Sequence, residues 1–203
     1  EEQLEKFIAT IHQEKDSTKI VSRKKELTDE EKQLFTYFVT VPGMKEQLLD
    51  VLCDVQMGAA DKTSQTGNVI VMGGRETGKT RLISSLIPAI CKELNIEASK
   101  VAYIFADDLN GKDIPEIVSK LAGGFLVIED ANQLSQETAD ELEEAMTGNT
   151  KGMIVILEDE KIGMRKLIAR YPKLAKKFTS MINIPVFTND ELVNFAKVYT
   201  CLL

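Results

Sequence analysis

Residues 68 to 86, NVIVMGGRETGKTRLISSL, decide how this chain is read. Inside this stretch Gly73-x-x-x-x-Gly78-Lys79-Thr80 follows a short apolar run and precedes a helical pattern, the strand-loop-helix setting of a P-loop. Gly73 and Gly78 permit backbone angles closed to other residues. The amides of Gly74, Arg75, Glu76 and Thr77 can then turn inward as a nest for phosphate oxygens. The start of the following helix, running into Arg81, adds unpaired N–H groups and the positive end of its dipole. Lys79 supplies a full charge to the outer phosphates, and the Thr80 hydroxyl is placed to coordinate a magnesium ion. The competing reading is a glycine-rich turn that binds nothing, and the strand-helix context weighs against it.

Composition bounds the rest. A chain of 203 residues, 43% hydrophobic, can bury one substantial core, which predicts a single α/β domain with appendages. No apolar run approaches the roughly 20 residues of a membrane span, and no signal peptide precedes the first charges, so a cytoplasmic protein with no membrane partner is expected. The start at Glu1, without a Met, reads as a piece excised from something longer. Cys53, Cys91 and Cys201 are odd in number and widely spaced, which fits neither a disulfide framework nor a zinc site. The net charge of −7 argues against a chain whose main task is coating nucleic-acid phosphates. His12 is the single histidine, which argues against histidine-based nucleophilic catalysis and histidine metal sites.

In chain order, Leu4, Phe7, Ile8 and Ile11 recur at helical spacing. Their apolar stripe needs a partner, which could be the main domain, another subunit or an upstream region. Residues 13 to 26 read as a polar linker in which Lys24-Lys25 is a solvated pair. Thr28-Asp29-Glu30-Glu31 is a capping-box pattern for a helix that buries Leu34, Phe35 and Phe38 before Pro42-Gly43 breaks it. Met44, Leu48, Val51, Leu52 and Val55 share one helical face, and Gly58 marks its end. After the P-loop helix, which runs to about Leu94, a strand is expected at 101–106, followed by a turn at Asp107-Asp108-Leu109-Asn110-Gly111. A short helix at 115–121 and a buried strand at 125–128 come next. Ser135 then caps a helix that stops near Gly148, and a strand covers 153–157. A helical basic segment covers 162–178, and a last short strand covers 181–184. This alternation predicts an α/β fold: a five-stranded parallel, doubly wound P-loop sheet with helices on both faces and an N-terminal helical extension. The divisions are 1–40 for the extension and linker, 41–187 for the nucleotide-binding domain and 188–203 for the first helix of a truncated lid.

A second chemical feature is the acidic pair Glu129-Asp130 that closes the strand at 125–128. In P-loop enzymes a carboxylate at the tip of a buried strand beside the P-loop strand holds the magnesium and its waters, and a second can polarise the attacking water. Glu129 is therefore a candidate metal ligand with Thr80, and Glu129 and Asp130 are the candidate catalytic pair. The alternative is that two acids merely end a strand at the solvent boundary.

These residues together resemble the AAA+ ATPases, and within them the group of CbbX and the stage V sporulation protein K. The resemblance is carried by Val41-Pro42-Gly43-Met44-Lys45-Glu46-Gln47-Leu48, the P-loop, residues 106 to 111 (ADDLNG) and residues 123 to 131 (GGFLVIEDA). It continues through residues 171 to 178 (YPKLAKKF) and 184 to 192 (IPVFTNDEL), so it spans about Val41 to the C-terminus. It implies ATP or ADP with Mg2+ as ligands, an adenine pocket lined near Pro42 and Gly43, and a homo-oligomeric ring in the full-length form. It also makes the departures visible. The family's order at the magnesium strand is Asp then Glu, whereas here it is Glu129 then Asp130. The position resembling the arginine that acts in trans on a neighbour is Lys177, with Arg165 and Arg170 nearby, and lysine lacks the planar fork of guanidinium. The strand expected to end in a polar sensor runs Ile156-Leu157-Glu158-Asp159 without Asn or Thr, and Gly111-Lys112-Asp113 has no aromatic residue for threading a substrate.

The leading expectation is an ATP-binding module of this type, a slow or degenerate ATPase acting on partner proteins by nucleotide-dependent conformational change. A second reading is a nucleotide-gated scaffold that hydrolyses little. A third is a small-molecule P-loop kinase, which needs an arginine-rich lid; beyond Arg75 and Arg81 the chain offers only Arg23, Arg165 and Arg170.

Overall fold

The computed structural model describes residues 2–17, 26–58, 61–97, 100–186 and 193. Five strands, β1 (Asn68–Gly73), β2 (Val101–Phe105), β3 (Phe125–Glu129), β4 (Ile154–Asp159) and β5 (Phe178–Ile184), form one sheet in the order β2-β3-β4-β1-β5. Every neighbouring pair is parallel. The helices are α1 (Glu2–Ser17), α2 (Asp29–Leu34), α3 (Met44–Gly58), α4 (Lys79–Leu94), α5 (Ala106–Leu109), α6 (Ile114–Lys120), α7 (Gln136–Thr147), α8 (Lys161–Arg170) and α9 (Pro172–Ala175).

The strands β1, β3 and β4 carry near-continuous apolar runs because this central part of the sheet is covered on both faces, as parallel sheets require. Their alternation divides the core in two. Ile70 and Met72 of β1 join Leu126, Ile128, Val155 and Leu157 in a layer closed by residues of α6, α7 and α8. Val69 and Val71 join Phe125, Val127, Ile154 and Ile156 in the opposite layer, closed by residues of α3 and α4. The sheet is thus doubly wound, as the alternation of strands and helices predicts. At its edge β2 leaves Val101, Tyr103 and Phe105 exposed.

Several local expectations resolve in space. The stripe on α1 is covered within the chain: Leu4 and Ile11 are buried, and the helix packs on α8 and β5. The capping box closes as its residue types require, with the Thr28 hydroxyl accepting from the Glu31 amide at 3.2 Å and the Glu31 carboxylate accepting from the Thr28 amide at 2.7 Å. Beyond α2, Phe35 and Phe38 are buried while Leu34 is half-buried. Three elements differ from the reading of the sequence, the first being the helical segment expected at 162–178, which breaks at Tyr171 into α8 and α9 and gives way to β5 at Phe178. Asp107-Asp108, expected in a turn, open the one-turn helix α5, where carboxylates favour the positive helix start. β5 begins at Phe178 rather than Met181, and its polar residues find partners on α3 and in the loop before β1. Ser180 donates to Asp54 at 2.7 Å, and the Thr179 hydroxyl accepts from the Gly67 amide at 3.1 Å.

Among the described residues, no helix is long and apolar enough to cross a membrane. The linker pair Lys24-Lys25 and, apart from Val193, the segment 188–203 lie outside the described residues.

Candidate phosphate-binding site

The loop joining β1 to α4 is the motif 73–80, and its backbone takes the shape the residue types call for. Gly78 caps α4 in the left-handed region at φ 86°, and Glu76 also has positive φ, 60°. A Cβ on Gly73 would come within 2.6 Å of the Thr77 hydroxyl and 3.1 Å of the Ile184 Cβ, so the loop closes too tightly there for any side chain. Thr77 is buried and donates to the Gly74 carbonyl at 2.9 Å, bracing the turn from within. Below it, the ring of Phe38 lies 3.4 Å from where a Cβ on Gly78 would be. The segment carrying Phe38 thereby supports the floor of the loop.

The charged groups around this loop are mutually engaged. Lys79 Nζ donates to the Gly74 carbonyl at 3.0 Å and pairs with Glu158 Oε1 at 3.1 Å. Arg75 pairs with Glu160 at 3.1 Å on the surface, and the Arg81 guanidinium lies 3.8 Å from the centroid of the Tyr37 ring. Thr80, in the first turn of α4, is exposed. Pro42 and Gly43 immediately precede α3, and Gly43 has φ 78°. Gln47 fastens this entry to β5: its side chain donates to the carbonyls of Gly43 at 3.1 Å and Asn183 at 3.2 Å, and accepts from the Asn183 amide at 2.7 Å. The segment 41–44 and the P-loop therefore sit at the carboxyl ends of β5 and β1, the end of an open parallel sheet where ligands bind.

The acidic pair is placed differently from the expectation that it lies beside the P-loop strand. β4 is inserted between β1 and β3, so the strand next to the P-loop strand ends in Glu158-Asp159. Chain order conceals this, because the crossover from β1 through α4 runs to the far edge of the sheet and later strands fill the gap. Glu129 is half-buried, and burial, with the nearby charge of Asp130, pushes its carboxyl above the usual range. Asp130 is exposed and left-handed, at φ 50° and ψ 47°, where it caps the 3-10 turn 131–133.

Glu158 and Asp159 divide into two roles that the sequence reading missed, although its only signal, two acids closing an apolar strand, is the one it used for Glu129-Asp130. Asp159 is buried, and its oxygens accept from the Glu160 amide at 2.6 Å and from the Asn132 amide and side chain at 2.7 and 2.8 Å. It joins the tip of β4 to the turn after β3. Glu158 instead faces the P-loop lysine.

Lys177, which the resemblance places as a group acting in trans, is turned into its own chain. Its side chain is 9% exposed and its ammonium meets Glu143 at 3.0 Å and the Thr147 hydroxyl at 3.0 Å. Arg170 lies near the Tyr171 ring and donates to the Asn132 carbonyl at 3.4 Å. Cys91 is buried, which pushes its thiol up and away from nucleophilic use. Among the described residues, no group of three or more His, Cys, Asp or Glu side chains could hold a metal by itself. A magnesium ion at this loop would share its coordination between Thr80, a carboxylate and phosphate oxygens, the usual manner for a cation that keeps few protein ligands.

No family model matches the chain. In sequence it is similar to a CfxQ homologue from Pyropia yezoensis, 25% identical over 142 residues, which covers 62% of this chain and 47% of that protein. It is similar to the same degree to a chloroplastic cbbX homologue from Guillardia theta, 25% over 142 residues, covering 62% of this chain and 38% of that one. The chain thus matches less than half the length of these relatives. In structure it resembles two variants of Thermotoga maritima RuvB. One gives a TM-score of 0.53 at 17% identity, covering 78% of this chain and 49% of that chain. The other gives 0.50 at 16% identity, covering 87% and 51%. The RuvB likeness concerns the fold, and the sequence similarity to the CfxQ and cbbX homologues supports the resemblance of this chain to AAA+ ATPases of the CbbX kind.

Proposed function

We propose that this domain binds ATP or ADP with Mg2+ at the loop 73–80 and uses the bound nucleotide to change its conformation against partner proteins, with slow or degenerate hydrolysis. The observation that carries the reading is the loop itself. Glu76 and Gly78 take the left-handed angles that turn successive amides inward, Gly73 leaves no room for a side chain, and Lys79 folds back over the turn at the start of α4. Residues 73 to 81 would contact phosphates, Pro42 and Gly43 would flank the base, and Thr80 with Glu129 would serve the metal. Magnesium would offset phosphate charge there.

A scaffold that binds nucleotide and hydrolyses little is the second reading, favoured by the exposed, left-handed Asp130. A kinase reading loses support because Arg75, Arg81 and Arg170 are engaged locally rather than gathered over one acceptor. Calorimetry with ATP and ADP in magnesium buffer tests the proposal. Binding is expected, weakened by Lys79→Ala, which removes the full charge at the outer phosphates. Equal affinity in that variant would overturn the assignment, and a phosphate-release assay separates ATPase from scaffold.

A further inference from the structure

Lys79 carries the one full positive charge that the P-loop directs at an anion, and in this structure that charge already has a counter-ion. Glu158 lies in β4 opposite Val71 of β1, two strand positions before Gly73, where β1 runs into the loop. Its carboxylate is 3.1 Å from Lys79 Nζ, and the two side chains are 8% and 12% exposed. The neighbouring Asp159 cannot take this part, since its oxygens are committed to Glu160 and Asn132. A phosphate oxygen hydrogen-bonded to the same ammonium, at about 2.8 Å, would lie within roughly 6 Å of the Glu158 carboxylate. At such a distance, with little water between, like charges repel strongly, and the penalty grows with the charge on the phosphate.

We propose that Glu158 determines which charge state of nucleotide this site accepts, by holding Lys79 so that a metal-free triphosphate is disfavoured and ATP recognition depends on magnesium. ADP brings less charge to the lysine and feels Glu158 less. This rests on the reading of the loop as a nucleotide site. It makes Glu158 a specificity-determining residue, placed where the sequence reading recorded only the absence of Asn or Thr.

The experiment is calorimetry of the whole chain with ATP and with ADP, each in magnesium buffer and in EDTA, for the unmodified protein, Glu158→Gln and Glu158→Asp. The unmodified protein is expected to bind ATP at least about tenfold more weakly in EDTA than in magnesium, with a smaller effect for ADP. Glu158→Gln should recover about tenfold in metal-free ATP affinity and flatten the magnesium dependence, whereas Glu158→Asp, which keeps the charge, should retain that dependence. The charge-conserving variant also serves if the glutamine variant fails to fold. Unchanged metal-free ATP affinity in Glu158→Gln, or a Glu158→Asp variant that loses the magnesium dependence, would overturn the role of Glu158 while leaving the nucleotide site in place. Absence of any nucleotide binding by the unmodified protein and by both variants, with native melting behaviour, would overturn the site and the inference together.

Discussion

Replacing Asn68 should cost this fold more than any single polar substitution on its surface. The residue opens β1 and is fully buried. Its amide oxygen accepts from the Val155 amide at 2.9 Å, and its amide nitrogen donates to the carbonyls of Ser64 at 2.7 Å and Lys177 at 2.8 Å. One side chain thereby joins β1 to β4, to the loop before it and to the residue before β5. At about 1 kcal/mol net for each bond, and with an amide and two carbonyls left unsatisfied, Asn68→Ala should lose roughly 3 to 4 kcal/mol. That is a large part of the 5–15 kcal/mol typical of a domain. Asn68→Asp should be worse at neutral pH. The carboxylate could still accept from Val155, but an oxygen would face two carbonyl oxygens where an NH2 donated. The folded state would hold that carboxyl's pKa above its unfolded value of about 3.9. A raised acid pKa means that the folded state takes up the proton first as pH falls. The penalty should therefore be full above the raised pKa and ease as pH drops through it. Urea unfolding followed by circular dichroism at pH 7 and pH 5 reads both effects. A loss below about 1 kcal/mol in Asn68→Ala, or an aspartate variant as stable as the unmodified protein at pH 7, would refute the argument.

Lys177→Met should destabilise the isolated chain by about 1–2 kcal/mol in the same titration, less than for a fully buried pair because Glu143 can regain water; no loss would mean that the pair with Glu143 and Thr147 holds nothing. Glu129→Gln should leave the protein at least as stable at pH 7, since burial and Asp130 hold that carboxyl above its usual range, and the difference should vanish below the ordinary carboxylate range; a growing advantage at low pH would contradict the sign. Glu129→Asp combined with Asp130→Glu restores the order usual in the family. If a misplacement of about 1 Å limits hydrolysis, the swap should raise phosphate release on the order of a hundredfold with little change in ATP affinity, and no response would show that the inverted pair is not limiting.

What could be read without coordinates was local in origin. The P-loop announces itself because Gly73, Gly78, Lys79 and Thr80 must stand at set spacing for backbone and side chain to meet one anion, and the capping box at Thr28 is likewise closed within a single turn. The doubly wound class followed from apolar runs alternating with helical periods, since a parallel sheet needs both faces covered. Sheet order did not follow. Nothing within β1 or β4 states that they are neighbours, and only their pairing brings Glu158 against Lys79 and leaves Glu129 one strand further away. The fates of Lys177 and of the α1 stripe were undecided for the same reason. A charge near a chain position expected to face a neighbour can turn inward once Glu143 and Thr147 are beside it, and an apolar stripe finds its partner only when α8 and β5 are in place. Motifs closed by residues close in sequence are legible from sequence. Ion pairs and covers made across the sheet depend on long-range packing, and the tertiary structure decides them.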